Sequence, residues 1–185
     1  LGIYSVNPDA EVYVKVTNSW YDPKAEEEAA RKLLDMNCDV IAQHCDTVYP
    51  QTLAQQKGVY SIGYNSDMSK EAPEACLCSV IWNWSAYYTS AVQSVIDGTW
   101  DGSNYYGGMN ENLVSITPIA DFAAAATKEK VNMAKQQILS GKNGVFDGVI
   151  ETNTGAEVGT AGKTLEDSVI TGGINWYFKT VKVIE

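Results

Sequence analysis

Polar and aromatic side chains follow three short apolar runs in the first half of the chain, at points where strands are expected to end. The runs are residues 12–16, 40–42 and 59–62, and the side chains that follow them include Trp20, His44, Asp46, Asn65 and Asp67. In an open α/β sheet, ligands bind just beyond the carboxyl ends of the strands. The sequence therefore predicts one shared rim, where carboxylates and an amide can hydrogen-bond a small solute and a tryptophan can stack on it.

A sixth candidate, Trp82, follows a later apolar run at residues 75–81, and Trp84 lies two positions further on. Alternation along a strand would place both rings on one face and Asn83 on the other. One ring is then expected to form a wall of the ligand site and the other to pack in the core. Trp82 is the favoured wall.

The candidates also have structural interpretations. Asp46 or Thr47 could cap the next helix, Asp67 could close a turn before Ser69, and Tyr64 could point back into the core. A lone histidine at the end of a strand, such as His44, is often a satisfied structural group rather than a ligand contact. The residue types alone leave both interpretations open.

Charge and composition narrow the class of partner. The chain has 185 residues, 45% of them apolar, which is enough to bury a sizeable core. Its formal net charge of −10 disfavours nucleic acid and anionic membranes, which need clustered lysine and arginine. No apolar run approaches the roughly 20 residues that span a bilayer, and the first residues lack a signal-peptide pattern. A small neutral or cationic solute suits this composition best.

The cysteines do not form a metal-binding pattern. Cys38, Cys45, Cys76 and Cys78, with His44 as the single histidine, lack the two paired spacings that structural zinc sites normally show. They are expected to be core residues, and neither a metal nor a cofactor is predicted.

Hydrophobic periodicity predicts alternating strands and helices as far as residue 96. Asp22 and Pro23 mark a helix start, and Gly58 suits a helix end. The acidic residues 26–28 are assigned to an exposed helix face. The predicted helices are residues 24–36, 50–57 and 85–96, between strands at 12–16, 40–42, 59–62 and 75–81. This alternation is typical of an α/β fold with a doubly wound parallel sheet.

The pattern changes after residue 101. Residues 102–112 are rich in Gly, Asn and Tyr and are interpreted as a crossover. The elements predicted beyond it are a strand at 113–117, a helix at 128–139, a hairpin arm at 145–150, a loop at 151–163, a short helix at 165–170 and a strand or extended tail at 176–184. Together they are too few to form an independent core.

Ordered motifs along almost the whole chain resemble the basic membrane protein family. They are Asn7-Pro-Asp-Ala-Glu-Val-Tyr-Val, Thr17-Asn-Ser-Trp-Tyr-Asp-Pro23, Cys38-Asp-Val-Ile-Ala-Gln-His44, Gly58-Val-Tyr-Ser-Ile-Gly-Tyr-Asn-Ser-Asp-Met68, Ser79-Val-Ile-Trp-Asn-Trp84 and Asp97-Gly-Thr-Trp100. Members are extracytoplasmic substrate-binding lipoproteins of ABC importers, many of which bind purine nucleosides or bases. The resemblance implies solute binding between two lobes, with an ABC transporter permease as partner.

The resemblance also implies a domain layout, that of a type I periplasmic-binding-protein fold. Residues 1–105 would form most of the C-terminal ligand-binding lobe. Residues 106–185 would cross over and help to complete an N-terminal lobe whose other segments lie outside this sequence. The resemblance places a signal peptide and a lipid-modified cysteine outside it too, so attachment to a membrane is expected only through that anchor, in an extracytoplasmic or periplasmic location.

Asn65 departs from the family pattern. Many members resemble Gly-x-Asp-x-Asp at this point, and the first acidic residue is the one expected to take the ribose hydroxyls. An amide cannot make the charge-assisted bonds of a carboxylate, which are roughly twice as strong as neutral ones. Trp82 also stands where nucleoside-binding relatives are expected to carry a lysine. A free base such as adenine is therefore as well supported as a nucleoside.

Two other functions compete with solute binding. A cytoplasmic ligand-sensing regulator could use the same domain, and a small α/β hydrolase could use His44, Asp46 and Asp67. The sequence lacks the G-x-S-x-G, G-x-G-x-x-G, P-loop and H-E-x-x-H motifs. Binding without catalysis is the prediction.

Overall fold

The computed structural model describes residues 1–142 and 144–185, and it divides into two compact units. We call residues 17–139 the central unit, and residues 1–16 with 140–185 the terminal unit. In the described part of the chain, no helix is both long and apolar enough to cross a membrane.

In chain order the helices are α1 (Gly2–Val6), α2 (Pro23–Asp35), α3 (Tyr49–Lys57), α4 (Trp84–Ile96), α5 (Ala125–Leu139) and α6 (Asp167–Gly172). The strands are β1 (Val12–Lys15), β2 (Val40–Ala42), β3 (Tyr60–Asn65), β4 (Cys76–Trp82), β5 (Val114–Ile116), β6 (Asp147–Glu151), β7 (Glu157–Thr164) and β8 (Val181–Ile184). The predicted helices and most of the predicted strands are present, with boundaries that differ by a few residues.

The central unit is built on a four-stranded sheet in the order β2–β3–β4–β5. β2, β3 and β4 are parallel, and β5 is antiparallel to β4. The predicted α/β fold with parallel strands is therefore confirmed. Because β2, β3 and β4 run the same way, their carboxyl ends meet at one edge of the sheet, which is where the candidate residues lie.

Local sequence signals set the ends of α2 and α3. The Asp22 carboxylate accepts a hydrogen bond from the Ala25 N–H at 3.0 Å, and Pro23 occupies the first turn of α2. The second helix, α3, ends at Gly58, whose φ of 75° is a left-handed conformation that glycine adopts more easily than other residues. Both signals were predicted from the sequence.

Two buried apolar clusters hold the central unit together. The first lies among α2, α3 and β2 and consists of Ala30, Leu34, Ile41, Leu53 and Ala54. The second consists of Met68, Ala72, Ala75 and Cys76, so it anchors the segment that connects β3 to β4. These clusters fix the strands that carry the candidate site. By contrast, α4 has no buried residue, and its apolar side chains Tyr88, Val92 and Val95 are exposed.

The prediction that the first strand joins this sheet is wrong. β1 pairs in parallel with β8 in a separate two-stranded sheet, in the register from Val12–Val181 to Lys15–Ile184. The Lys182 ammonium also donates to the Glu11 carboxylate beside this pair. A short apolar run specifies a strand, but its pattern does not say which other strand it pairs with.

The predicted loop at residues 151–163 is also wrong in its second half, where β7 pairs antiparallel with β6. The glycines that indicated a loop instead serve the strand. Gly159 has a φ of 86°, and a side chain there would collide with the Gly148 carbonyl, so only glycine allows the two backbones to approach. The predicted extended tail is a strand only over β8.

Candidate functional site

Three rings meet where β2 and β3 end, and we call Trp20, His44 and Tyr64 the rim cluster. The Trp20 and His44 ring centroids are 5.4 Å apart, and those of His44 and Tyr64 are 4.3 Å apart, both edge to face. Tyr64 is half-buried and faces His44, rather than pointing back into the core. The imidazole is exposed and makes no hydrogen bond within the described chain.

Backbone contacts bring Trp20 to this edge although β1 belongs to another sheet. The Asp46 N–H donates to the Trp20 carbonyl at 2.9 Å. The Cys45 thiol lies 3.7 Å from the Ser19 carbonyl and 3.6 Å from the Thr17 hydroxyl. The loop at residues 17–22 is therefore attached to the loop after β2 within the central unit.

Asn65 ends β3 in a three-residue turn. Its φ is 71°, and the Ser66 N–H donates across it to the Tyr64 carbonyl at 2.8 Å. This is the uncommon form of γ-turn, and asparagine is among the few residues other than glycine that tolerate it. The turn leaves the Asn65 amide exposed at the rim.

Asp67 closes the turn before Ser69, which is the structural role that the sequence allowed for it. Its Oδ1 accepts a hydrogen bond from the Ser69 N–H at 3.0 Å. This backbone bond is the main reason why the pKa of the Asp67 carboxyl lies below its ordinary value, so the group carries a full negative charge near neutral pH. The side chain is exposed, beside Asn65.

Asp46 does not cap α3. The residue before that helix is Val48, which has no capping side chain, and the Tyr49 N–H lies 3.4 Å from the Thr47 hydroxyl. The capping interpretation of Asp46 is therefore wrong, and its carboxylate is exposed at the rim.

Trp82 and Trp84 stack on each other, with ring centroids 5.5 Å apart and an interplanar angle of 22°. Trp84 in turn stacks on Tyr88 at 5.9 Å. The expectation that one tryptophan packs in the core is wrong: Trp82 is half-buried and Trp84 is 48% exposed. The strand ends between them and α4 begins, so strand alternation no longer applies. The pairing of Asn65 with Ile81 places Trp82 one residue beyond Asn65 at the same edge.

A buried polar layer beneath the rim was not predicted. Glu26, assigned to the exposed face of α2, is only 2% exposed, and its Oε2 accepts hydrogen bonds from the Thr47 hydroxyl at 2.6 Å and the Thr47 N–H at 3.2 Å. The Gln43 amide nitrogen donates to the Thr47 carbonyl and to Gln51 Oε1, both at 2.7 Å. The one available sequence signal was the position of Glu26, four residues after the cap Asp22.

The cysteines are free thiols in this structure. Cys76 is buried, as predicted for a core residue, whereas Cys38, Cys45 and Cys78 are half-buried. Burial raises the pKa of the Cys78 thiol. Within residues 1–142 and 144–185, no group of three or more His, Cys, Asp or Glu side chains could hold a metal ion.

The rim thus combines aromatic rings with exposed hydrogen-bonding groups. Trp20 is 61% exposed, so one of its faces is open to stacking. The Asn65 amide can donate and accept, and the carboxylates of Asp46 and Asp67 accept. This arrangement suits a flat solute that carries N–H donors.

Comparison with known proteins identifies relatives over most of the chain. Residues 1–145 match the family described as ABC transporter substrate-binding protein, PnrA-like. A purine-binding protein of Brucella abortus (strain 2308) is 37% identical over 177 residues, which are 96% of this chain and 50% of that protein. A Haloferax volcanii protein named for glucose binding in an ABC transporter is 34% identical over 148 residues, 80% of this chain and 38% of that protein.

Solved structures show the same fold. A solute-binding protein of an ABC transporter system from Conexibacter woesei DSM 14684 aligns with a TM-score of 0.58 at 21% identity, over 77% of this chain and 48% of that one. A transcriptional activator of the comK gene from Bacillus halodurans aligns with a TM-score of 0.61 at 19% identity, over 68% and 45%. The chain spans half or less of the length of these relatives.

Proposed function

The chain belongs to the family of PnrA-like ABC transporter substrate-binding proteins, and from that premise we propose that it binds a purine base or nucleoside for an ABC importer. The family is one of substrate-binding proteins rather than enzymes. The similarity to a purine-binding protein along 96% of the chain supports a purine as the solute.

The observation that carries the proposal is the rim cluster beside exposed hydrogen-bonding groups. In this proposal Trp20 stacks on the purine, and the Asn65 amide bonds a ring nitrogen or a hydroxyl. The carboxylates of Asp46 and Asp67 accept from ring N–H or exocyclic amine groups. His44 supplies a further hydrogen bond to the solute. Its ring lies in the middle of the rim cluster, with its centroid 4.3 Å from that of the Tyr64 ring. Trp82 forms a second wall at the same edge of the sheet.

The exposed amide of Asn65 makes a free base as well supported as a nucleoside. A carboxylate in the same turn would accept charge-assisted hydrogen bonds from both ribose hydroxyls, whereas an amide oxygen makes weaker neutral ones. Asn65→Asp should therefore raise the affinity for adenosine more than the affinity for adenine.

The remaining parts of the proposal concern the whole protein. The solute would be enclosed by closure of two lobes, delivered to a transporter permease, and captured outside the cytoplasm by a protein held to the membrane through a lipid anchor. The alternative of a cytoplasmic regulator has support from the structural likeness to a transcriptional activator, at 19% identity.

The test is a thermal-shift series on the whole protein, with both lobes, using adenine, guanine, adenosine, guanosine and glucose at millimolar concentration. A ligand that binds only the folded state stabilises it by about 2.7 kcal/mol at a hundred times its Kd, so a purine should raise Tm. Trp20→Ala should abolish the rise. Trp100→Ala is the matched control, because Trp100 is also exposed, at 47%, but lies outside the rim.

No shift with any nucleobase or nucleoside would contradict the purine assignment, and a shift with glucose alone would assign a sugar instead. Native mass spectrometry of the purified protein, with any solute that co-purifies, would identify the ligand directly.

A further inference from the structure

Glu26 is a buried carboxylate whose hydrogen bonds join two loops. Oε1 accepts from the Asp22 N–H at 3.0 Å, and Oε2 accepts from both the N–H and the hydroxyl of Thr47. Asp22 ends the loop that carries Trp20, and Thr47 follows Asp46 directly. The carboxylate therefore connects the same two loops that the Asp46 N–H bond to the Trp20 carbonyl joins, and it does so from a buried position.

Burial of this carboxylate is costly for the fold. Within the described part of the chain, no basic side chain forms an ion pair with Glu26, so its charge is compensated by hydrogen bonds alone. An apolar residue of similar volume often stabilises a protein as well as a buried charged group does, or better. An apolar residue could not, however, fix the separation of the two loops, since it forms no directed bonds.

The connection continues from Thr47 to the turn after β3. The Thr47 carbonyl accepts from the Gln43 amide nitrogen at 2.7 Å, and the same nitrogen lies 3.1 Å from the Met68 sulfur. Met68 is only 2% exposed and follows Asp67 in the sequence. One continuous set of contacts thus connects the loop of Trp20, the loop of Asp46 and the turn of Asp67.

We propose that Glu26 and Thr47 form a positioning clamp that holds the loops of Trp20 and Asp46 in the geometry that binds solute. The inference rests on the proposed function, because solute affinity is its main readout. Neither residue touches the solute in this proposal. They act by keeping the rim assembled before the solute arrives, which lowers the entropic cost of binding.

Thr47→Val and Thr47→Ser form the decisive pair of variants. Valine has the shape of threonine without the hydroxyl, so one bond to the carboxylate is lost, whereas serine keeps it. Loss of a hydrogen bond to a charged group changes the free energy enough to weaken adenine binding by about tenfold in Thr47→Val. Isothermal titration calorimetry at low temperature measures this change in Kd. Thr47→Ser should stay within about twofold of the wild type. Glu26→Gln should also weaken binding, because its amide N–H₂ would face backbone donors.

Leu34→Ala separates positioning from stability. Leu34 is 5% exposed in the core of the same helix, α2, but lies outside the loops. It should lower Tm at least as much as Thr47→Val and leave adenine affinity unchanged. If Leu34→Ala weakens binding as much as Thr47→Val, or if Thr47→Val and Glu26→Gln bind like the wild type, the clamp is overturned.

A ligand-free measurement keeps this test distinct from that of the proposed function. The indole N–H resonance of Trp20, identified by comparison with Trp20→Phe, should shift or broaden in Thr47→Val and remain in place in Thr47→Ser. Unchanged resonances in both variants would overturn the clamp. If the resonance shifts but the wild-type protein binds no purine, the clamp stands as a structural finding and the proposed function fails.

Discussion

The central and terminal units stay folded by different means. The central unit buries two apolar clusters, whereas among the described residues of the terminal unit only Ile150 and Thr152 are buried. The terminal unit relies on strand pairing and on exposed contacts such as the Lys179–Glu151 ion pair at 3.1 Å and the Tyr4–Phe178 ring contact at 5.2 Å.

This difference matters because the two kinds of interaction respond differently to change. Apolar burial contributes roughly 25 cal/mol per Å² and is not screened by salt as charges are. Exposed ion pairs contribute little and are screened by salt. The rim residues are carried by the unit that has the apolar core, so we expect the candidate site to keep its geometry under conditions that loosen the β1–β8 pair.

The largest expected effect comes from truncation of the central core. Leu53→Ala should cost about 2 to 5 kcal/mol, because it removes a buried side chain and leaves a cavity. Val183→Ala, in a half-exposed position of β8, should cost under about 1 kcal/mol. Urea unfolding, followed by hydrogen exchange of peptides from each unit, measures both. Equal losses would show that the two units do not differ as described.

A pair of glycine substitutions gives an intermediate effect. A Cβ at Gly63 would collide with the Ser79 hydroxyl and lie 3.1 Å from the Met68 Cβ, whereas nothing lies within 4 Å of a Cβ at Gly172 in the terminal unit. Gly63→Ala should therefore destabilise the protein by about 1 to 3 kcal/mol. Gly172→Ala should be neutral or stabilise it by up to about 1 kcal/mol. A thermal melt in which Gly63→Ala is harmless would mean that β3 and β4 can separate locally.

The smallest expected effect is on the edge of the β1–β8 pair. The hydrogen bond from Lys182 holds the pKa of the Glu11 carboxyl below its ordinary value of 4.5, and the bond to Glu11 raises the pKa of Lys182 above 10.5. The lowered pKa of Glu11 stabilises the fold at pH values above the ordinary pKa of this carboxyl, and this stability is lost as the pH falls through the pKa of the folded state. The raised pKa of Lys182 stabilises the fold at pH values below the ordinary pKa of this amine, and this stability is lost as the pH rises through the pKa of the folded state. The ion pair should therefore contribute its full stability at pH values between the ordinary pKa values of Glu11 and Lys182, 4.5 and 10.5.

Hydrogen exchange of the β8 amides checks this expectation. Lowering the pH below the ordinary pKa of Glu11, or raising the salt concentration to about 1 M, should slightly reduce the protection of the β8 amides relative to the amides of the central sheet. Glu11→Gln, compared at each pH, corrects for the intrinsic pH dependence of exchange and should remove the difference. If Glu11→Gln responds to acid and salt like the wild type, the ion pair does not contribute.

Local signals in the sequence predicted much of the fold. The cap at Asp22, the stop at Gly58 and the strand at residues 40–42 act within a few residues, so the chain itself carries the information. The polar residues that follow β2 and β3 were likewise placed correctly at one edge, since parallel strands bring their carboxyl ends together.

Contacts distant in sequence escaped prediction. The partner of β1 lies about 170 residues away, and no local pattern distinguishes β8 from β2 as that partner. Glu26 has the composition of an exposed helix residue, and only the approach of Thr47, 21 residues later, shows that it is buried. Trp84 was assigned to a strand face because the end of β4 could not be located from two similar residues.

By itself, the sequence determined the α/β class, the start of α2, the end of α3 and the placement of polar residues directly after β2 and β3, because periodicity and capping depend on near neighbours. Only the tertiary structure decided which strands pair, that Trp20, His44 and Tyr64 form one cluster, and that a buried carboxylate lies beneath them. These features depend on distances between segments far apart in the chain, and those distances are set by packing rather than by any local pattern.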